Sequence, residues 1–372
     1  MIKVLHVVGR MHYGGTETLI MNLYRHIDRE RLQFDFLVYY ANPGGYDDEI
    51  RQLGGNVYVI EKTLNPIKYL YKLAAFFSMH HEYDFVHVHI LWLAWIYFPF
   101  AWKYKLKKIA HLHSDKIGKT GISLWMRRIF EKISIVNADV IFSCSKKAAL
   151  CHKLDRRKTY LLKNGIDGKR FYYDYTIRKE VRAELKIGQK KVILCTARFD
   201  TNKNHTFLID IMEKIVQKDK YTILVLIGEG PLEEDIRKKV RNLELESYVI
   251  FLGGRNDVAR LLQSADAYVM PSFHEGLGIA YIESQAAGVK TFASDEAYTS
   301  EAHISDLLLH KSLGDGAKEW ADWILTNISY ERKNMEKELV MSGFEIIGTA
   351  NALQSFYLKE KPIDDLFELA LL

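Results

Sequence analysis

The sequence is poor in cysteine and contains no long uninterrupted apolar segment. Cys144, Cys151 and Cys195 are odd in number and lack the spacing of a metal site, which favours reduced thiols in a cytoplasmic protein. The longest apolar run, Ile90–Trp102, is interrupted by Pro99 and is shorter than the roughly 20 residues that cross a bilayer. No secretion-signal pattern precedes the first strand-like run, so we expect a cytoplasmic location.

The recognition patterns of two ligand classes are also missing. The glycines that follow the first strand-like run do not form G-x-G-x-x-G, so the dinucleotide fingerprint is absent. No basic-aromatic RNA motif and no recognition-helix pattern occurs, and nucleic acid is therefore not an expected partner.

Charge is distributed unevenly along the chain. The formal net charge is +5, and residues 1–170 contain a clear excess of Lys and Arg over Asp and Glu. Such a basic half favours a phosphorylated substrate or an anionic lipid surface. Basic and aromatic residues also lie together in Lys103–Lys108 and in the helix that carries Trp125, Arg128 and Lys132. Two interpretations stay open: peripheral contact with the inner face of the membrane, and a solvated basic rim.

Strand-like and helix-like runs alternate through both halves of the chain. The strand-like runs are Val4–Val8, Phe34–Tyr39, Val57–Ile60, Phe85–Val88, Lys108–Leu112 and Val140–Ser143, then Val192–Thr196, Thr222–Ile227, Val249–Leu252, Ala267–Met270 and Lys290–Ala293. This alternation predicts parallel sheets built from right-handed βαβ units. A chain of 372 residues also exceeds one ordinary core. The expected fold is α/β, with two doubly wound Rossmann-like domains and a cleft between them.

The predicted domains are residues 1–170 and 171–349. The C-terminal helical segment at about 350–372 is expected to pack back on the first domain, with a helix at Ala350–Leu358 and a second short amphipathic piece after Pro362. An oligomer contact or a membrane contact is also open for the apolar cluster at its end: Leu366, Phe367, Leu369, Leu371 and Leu372.

The segment Pro271–Gly288 carries the strongest functional signal. An apolar strand-like run leads into the turn Gly276-Leu277-Gly278 and then into a helix of small residues. Such a turn presents backbone N–H groups and the positive end of a helix dipole to an anion. Glu275 and Glu283 stand on either side of the turn, where carboxylates can accept hydrogen bonds from hydroxyl groups. A phosphate flanked by polyols describes a nucleotide sugar.

Two further segments are candidates for the same ligand. Gly14 and Gly15 precede a helix, and adjacent glycines allow a close approach of the backbone to a ligand or simply form a turn. Arg198 and Lys203 follow a strand in a loop, where a guanidinium and an ammonium group fit a diphosphate clamp.

A histidine at the end of a predicted strand is a candidate for substrate contact. His113 precedes Ser114 and Asp115, and groups beyond the carboxyl ends of parallel strands line the ligand crevice of such sheets. His111 lies on the same strand face. A metal site at the two histidines needs a third ligand that the sequence does not identify.

Together these segments resemble glycosyltransferase family 4 (GT4), whose retaining enzymes have the GT-B fold, and in particular its exopolysaccharide and capsular polysaccharide members. The motifs occur in one order: Gly14-Gly15-Thr16-Glu17, Asn164-Gly165-Ile166-Asp167, Arg198 with Lys203, Gly228-Glu229-Gly230-Pro231-Leu232, and Glu275 with Glu283. The resemblance covers about residues 1–353. Ala197 and Lys290 depart from it, because the family commonly has glycine and proline there.

The resemblance implies a role for each candidate. Glu275 would bind hydroxyls of the donor sugar, and Glu283 those of the ribose. Arg198 and Lys203 would hold the diphosphate, with backbone amides near Gly15 completing the cradle. The amides around Gly276, Leu277 and Gly278 would serve the same purpose. His113 would lie near the donor sugar and the acceptor.

The implied reaction is retaining transfer of a hexosyl-type sugar from a nucleotide diphosphate to a glycan or polyprenyl-diphosphate-linked glycan. The resemblance favours uracil as the base, with guanine and adenine as open alternatives. The chain has no Asp-x-Asp pair to hold a divalent ion. Two cations and two helix N-termini can replace that ion, so we expect no metal and no other cofactor. The alternatives are a nucleotide-sugar epimerase or phosphorylase of similar shape, and a catalytically silent homologue that binds other glycan enzymes.

Overall fold

The computed structural model describes residues 1–113, 124–156 and 158–370. The chain divides into two compact units: unit 1 comprises Met1–Ile166 and Gly343–Leu372, and unit 2 comprises Asp167–Ser342. The sequence places the corresponding boundaries at 170 and 349.

Unit 1 contains a parallel sheet of seven strands in the order β3-β2-β1-β4-β5-β6-β7. Its strands are β1 (Ile2–Val8), β2 (Leu32–Val38), β3 (Val57–Val59), β4 (Phe85–Val88), β5 (Lys107–Leu112), β6 (Val140–Ser143) and β7 (Thr159–Leu161). Its helices are α1 (Gly15–His26), α2 (Asp47–Gln52), α3 (Pro66–Met79), α4 (Ala94–Lys103), α5 (Leu124–Asn137), α6 (Lys146–Cys151) and, from the C-terminal segment, α15 (Ile346–Tyr357).

Unit 2 contains a parallel sheet of six strands in the order β10-β9-β8-β11-β12-β13. Its strands are β8 (Lys191–Thr196), β9 (Thr222–Ile227), β10 (Val249–Phe251), β11 (Ala267–Met270), β12 (Lys290–Ser294) and β13 (Leu308–Lys311). Its helices are α7 (Gly168–Phe171), α8 (Tyr175–Glu184), α9 (His205–Lys218), α10 (Glu233–Asn242), α11 (Val258–Leu262), α12 (Ile279–Ala286), α13 (Gly316–Asn327) and α14 (Glu336–Met341).

Both sheets have the apolar strands of a doubly wound fold, which confirms the predicted fold class. Every side chain of β9 and β11 is buried, as expected where helices cover both faces of a parallel sheet. In unit 1, one cluster of buried side chains lies on each face of the sheet. The second cluster includes Ile346, Leu353 and Tyr357 of α15, so the C-terminal helix packs on unit 1.

The C-terminal segment begins with a helix and does not continue as one to the end of the chain. Helix α15 ends at Tyr357, Lys359 has a positive φ of 58°, and Pro362 cannot continue a helix. The chain then pairs with β7 through an antiparallel bridge between Tyr160 and Leu369. The last two residues of the predicted apolar cluster, 371 and 372, lie outside the described residues.

Candidate active site

The order of the strands in unit 2 brings two predicted segments to the same edge of the sheet. The chain leaves β8 toward β9 on one side, whereas β11 pairs with β8 on the other. Ligands of open α/β sheets bind beyond the carboxyl ends of the strands at such a reversal. Arg198 and Lys203 follow β8, and Glu275 follows β11.

The connection from β8 to α9 is held in a defined conformation by its own side chains. Asp200 Oδ1 accepts hydrogen bonds from the backbone N–H groups of Asn202 and Lys203 at 3.0 and 3.2 Å. Asn204 has a left-handed backbone with φ 53° and begins α9. The ring of buried Phe199 stacks on His205, with 4.3 Å between the ring centroids. Arg198 and Lys203 therefore project from a rigid turn.

A second loop packs so closely on this connection that it requires glycine. Gly230 follows β9, and a Cβ atom built on it would lie 2.4 Å from the carbonyl oxygen of Phe199. Gly228 has φ +139°, and its Cβ would lie 2.1 Å from the carbonyl oxygen of Ala197. Both distances are too short for non-bonded carbon and oxygen atoms, so a side chain at either position would clash. Glycine therefore allows the β9 loop to pack directly on the backbone that carries Arg198.

Polar contacts join the β8–α9 connection to the β11–α12 connection. The Phe273 N–H donates to the carbonyl oxygen of Asn202 at 2.8 Å, and the Asn202 side-chain amide donates to the carbonyl oxygen of His274 at 2.7 Å. The Lys203 ammonium group forms an ion pair with Glu275 Oε1 at 2.6 Å. Glu275 is only 9% exposed. A cation and a carboxylate thus lie side by side beyond the sheet edge.

The structure brings together only part of the predicted diphosphate site. Lys203 and Glu275 touch, whereas Arg198 has an exposed side chain and contacts neither of them among the described residues. An exposed guanidinium group in this connection is available to an anion from solvent.

Helix α12 directs its N-terminus to the same sheet edge. Gly278 precedes its first residue with φ +77°, in the left-handed region, and a Cβ there would lie 2.5 Å from the Tyr281 ring. The N–H groups of the first helical turn have no partner within the helix, so they present positive potential. The turn Gly276-Leu277-Gly278 therefore combines with Lys203 as an anion-attracting edge.

Glu283 lies in the second turn of α12 and is half-buried. Burial raises the pKa of its carboxyl group to about 7, and the nearby Arg170 guanidinium partly opposes this shift. Arg170 belongs to the short helix α7 and was not predicted as a neighbour of Glu283. Arg170 and Glu283 are far apart in the sequence, so no local motif indicated that they lie near each other.

The remaining candidates belong to unit 1, at the edge where its strand order also reverses, between β1 and β4. Gly14 is the N-cap of α1 with an extended backbone, and Gly15 is exposed, with open space where a Cβ atom would lie. Glu17, in the first turn of α1, has its pKa raised to about 7 by burial. The chain at Gly15 is thus exposed to solvent, with room for a close neighbour.

His113 lies directly after β5 and contacts His89, a histidine that was not predicted to belong to the site. Its Nε2 lies 2.9 Å from Nδ1 of His89. Burial lowers the pKa of His113 to about 3, so its imidazole is neutral at pH 7. His89 also lies within 4.8 Å of His111 and His113 as a possible third metal ligand. Ser114 and Asp115 lie outside the described residues.

Comparisons with known proteins agree with this architecture. The family model "Glycosyltransferase Family 4" matches residues 13–170, and "Glycosyl transferases group 1" matches residues 177–312. The chain is 30% identical to the putative glycosyltransferase EpsF of Bacillus subtilis, over 95% of this chain and 96% of that protein. It is 24% identical to the capsular polysaccharide biosynthesis glycosyltransferase CapH of Staphylococcus aureus, over 97% and 99% of the two chains.

A solved structure with the same fold is HepE of Anabaena in complex with UDP and glucose. The TM-score is 0.75 at 17% identity, over 98% of this chain and 97% of that one. At this level of identity the likeness concerns the fold alone.

Proposed function

Because the chain belongs to glycosyltransferase family 4, we propose that it is a retaining, metal-independent enzyme that transfers a sugar from a UDP-sugar to a glycan acceptor. HepE, which shares the fold, was solved with UDP and glucose, and this supports a uracil nucleotide as the donor base. The name of CapH supports an acceptor in cell-surface polysaccharide synthesis.

The observation that carries the proposal is the pair of Lys203 and Glu275 at the strand reversal of unit 2. The ion pair of 2.6 Å holds a cation beside a carboxylate. A donor of this class has a diphosphate next to a sugar, so it needs a cation for one part and hydrogen-bond acceptors for the other. Lys203 and Arg198 serve the diphosphate, and Glu275 serves the sugar hydroxyls.

The chemistry follows from where charge develops. As the bond between sugar and phosphate breaks, negative charge grows on the departing diphosphate and positive charge grows on the sugar ring. Lys203, Arg198 and the N-terminus of α12 stabilise the first charge because they are positioned before the reaction begins. The carboxylate of Glu275 stabilises the positive charge that develops on the sugar ring. These groups do the work that a divalent ion does elsewhere, and the sequence has no Asp-x-Asp pair to hold one.

The anomeric configuration is retained because the acceptor hydroxyl attacks the face of the sugar from which the diphosphate leaves. Retaining glycoside hydrolases use a carboxylate as nucleophile. Glu275 is engaged by Lys203, which lowers its nucleophilicity, so we assign it to binding instead. The acceptor hydroxyl then transfers its proton to an oxygen of the departing diphosphate as the new glycosidic bond forms.

The donor is tested by a thermal-shift screen against UDP-, GDP- and ADP-sugars. A ligand that binds only the folded protein raises the apparent stability with its affinity. We expect the largest rise in melting temperature with a UDP-sugar and a smaller one with UDP alone. A larger rise with a GDP- or ADP-sugar would replace the uracil assignment, and no rise with any of them would contradict donor binding.

We also propose that helix α5 brings the enzyme to an anionic membrane surface where a lipid-linked acceptor lies. The face of α5 that carries Trp125, Ile129, Ile133 and Val136 is exposed to solvent, with Trp125 71% exposed. Its opposite side buries polar groups: Ser134 Oγ accepts from the Trp95 backbone N–H at 2.9 Å, and Glu131 accepts from Arg127 at 3.2 Å.

An ordinary surface helix exposes mainly polar side chains, whereas α5 exposes these four apolar ones and buries Glu131 and Ser134. The exposed Arg128 and Lys132 flank the apolar face and suit acidic headgroups. Among the described residues, the structure contains no helix with the length and hydropathy of a membrane span. The proposed contact is therefore with one side of the bilayer.

A further inference from the structure

Aromatic and basic side chains meet beyond the carboxyl ends of neighbouring strands in unit 1. Tyr39 and Tyr40 follow β2, Lys62 follows β3, and Trp92 follows β4 in a short 3-10 turn. These four side chains form an aromatic–lysine cluster. It lies at the sheet edge where open α/β sheets bind ligands, next to the strand reversal between β1 and β4.

Backbone hydrogen bonds connect the loops that carry the cluster. The N–H groups of Tyr39 and Tyr40 both donate to the carbonyl oxygen of Gly9, at 3.1 and 3.2 Å, and this joins the end of β2 to that of β1. The Lys62 N–H donates to the carbonyl oxygen of Tyr39 at 3.4 Å. The positions of Tyr39, Tyr40 and Lys62 are therefore set by the ends of the strands.

Lys62 supplies a positive charge whose neighbours are aromatic rings. Its ammonium nitrogen lies 3.7 Å from the ring centroid of Tyr39 and 5.6 Å from that of Trp92. The side chain as a whole is exposed, but the rings displace water from its ammonium group, and this lowers the pKa of Lys62. Within the described part of the chain, no carboxylate opposes this shift.

Arg127, the second cation near Trp92, differs in this respect. Its guanidinium carbon lies 5.7 Å from the Trp92 ring centroid, and the group forms an ion pair with Glu131 at 3.2 Å. An anion that binds Arg127 competes with Glu131, whereas an anion that binds Lys62 breaks no ion pair within the described residues. Lys62 is therefore the better anchor for an acidic group.

The rings of the cluster suit a saccharide. Tyr40 is 59% exposed, its ring centroid lies 4.9 Å from that of Tyr39, and Trp92 is half-buried. The faces of aromatic rings carry partial negative charge, so they attract the C–H groups of a sugar ring and leave its hydroxyl groups for polar partners. Aromatic rings beside a lysine thus fit a sugar that carries a negative charge.

We propose that the aromatic–lysine cluster binds the acceptor, and that the acceptor is a saccharide with an acidic group. The sugar stacks on the rings, and the acidic group, a phosphate or a sugar carboxylate, pairs with the Lys62 ammonium. The diphosphate and the sugar of the donor are assigned to Arg198, Lys203 and Glu275 of unit 2, which leaves this cluster for the second substrate. The role as acceptor rests on the proposed function, whereas the binding of an acidic saccharide does not.

Binding is tested without a donor by ligand-observed NMR titration. The probes are glucose 1-phosphate, methyl glucuronide, the neutral methyl glucoside and inorganic phosphate. We expect one of the two acidic sugars to bind about tenfold more tightly than methyl glucoside, the effect of a hydrogen bond to a charged group. The tighter of the two identifies the acidic group. Equal affinity for all three sugars would overturn the proposal, and so would inorganic phosphate that binds as tightly as the preferred acidic sugar.

The same titrations in Arg198→Ala/Lys203→Ala separate this cluster from the proposed donor site, which also attracts a sugar phosphate. We expect the preference for the acidic sugar to persist in the double variant. A preference that disappears there belongs to the donor site and would overturn the proposal. UDP-sugar binding without a preference for an acidic saccharide contradicts this inference alone, and the reverse result contradicts the donor assignment alone.

Variants of Lys62 and Tyr40 distinguish charge from stacking. Lys62→Gln is expected to lose the preference for the acidic sugar and to keep the affinity for methyl glucoside, whereas Lys62→Arg keeps both. Tyr40→Ala is expected to weaken the binding of all three sugars alike, by about threefold, because stacking does not depend on the acidic group.

Lys103→Gln is the matched control. The Lys103 ammonium also lies over a tyrosine ring, 5.3 Å from the centroid of Tyr104, but it ends α4 at the opposite edge of the sheet. We expect this variant to bind all probes like the wild type. An equal loss for acidic and neutral sugars in Lys62→Gln, together with a lower melting temperature, would show that Lys62 only supports the packing of the rings and would overturn the proposal.

Discussion

At the residue scale, the contact between Lys203 and Glu275 connects the fold to the chemistry. The two residues are 72 positions apart in the chain and meet because their strands are neighbours in the sheet. Their charges are largely shielded from solvent, with side-chain exposures of 21% and 10%. An ion pair in such surroundings holds its geometry, so the proposed donor site is formed in the protein without a ligand.

Replacing the cations is expected to weaken UDP binding. Lys203→Ala and Arg198→Ala each remove a charged partner of the diphosphate, which is worth about 1.5–3 kcal/mol, or roughly a tenfold to hundredfold loss of affinity. Isothermal titration calorimetry of both variants and of the double variant measures this loss. Lys220→Ala, which removes an exposed lysine of the same unit, is the control and should bind like the wild type. Equal affinity in the double variant would rule out the diphosphate clamp.

Glu283 is expected to make stability depend on pH. Its pKa is raised from 4.5 to about 7 by burial, so between these values the unfolded chain has lost a proton that the folded chain keeps. The free energy of unfolding therefore falls as the pH rises from about 4.5 to 7, by up to about 3 kcal/mol for this group. Urea denaturation across this range should show a smaller fall in Glu283→Gln.

The exposed Glu246 supplies the control for this measurement. Glu246→Gln should keep the pH profile of the wild type. If the profiles of Glu283→Gln and the wild type coincide, the carboxyl group titrates at an ordinary pKa and the site is more open to water than the structure indicates.

At the scale of elements, the amphipathic helix α5 is expected to bind membranes through its exposed side. Its apolar face should bind vesicles that contain anionic lipid, because apolar burial and headgroup attraction act together. Flotation with anionic and neutral liposomes measures this binding in the wild type, in Trp125→Ser/Val136→Ser and in Arg128→Gln/Lys132→Gln. Each pair should reduce the bound fraction about tenfold.

Tyr221 provides a matched control for α5, since it is 75% exposed and belongs to unit 2. Tyr221→Ser should float like the wild type. Binding that is lost equally in all variants, or that is equal on neutral and anionic vesicles, would contradict a specific role for this helix.

Strands in the middle of each sheet were all predictable from sequence, whereas of the edge strands β3 and β10 were predicted and β7 and β13 were not. Runs such as Thr222–Ile227 are apolar in all but the first residue, and the structure contains them as strands. Strands β7 and β13 were missed because each is short and contains polar residues, as in Thr159–Leu161 and Leu308–Lys311. Strand β7 is completed by the C-terminal segment, through the Leu161 N–H that donates to the carbonyl oxygen of Glu368.

At the scale of the whole molecule, the alternation of strands and helices is sufficient to predict two Rossmann-like halves, but not the contacts within them. The order of strands decides that Lys203 meets Glu275, and periodicity carries no information on that order. The histidines of unit 1 show the same limit: His111 and His113 are visible as a pair in the sequence, whereas the contacts of His113 with His89 and of His89 with His6 form only across the sheet.

The most direct measurement is turnover of a UDP-sugar in the presence of EDTA, with the anomeric configuration of the product read by NMR. We expect the wild type to be active without a divalent ion and to give a retained product. We also expect Glu275→Gln to bind UDP but to lose at least about a hundredfold in kcat, the scale of a lost transition-state contact. Activity that requires added Mg²⁺ or Mn²⁺, an inverted product, or full activity in Glu275→Gln would contradict the proposed mechanism.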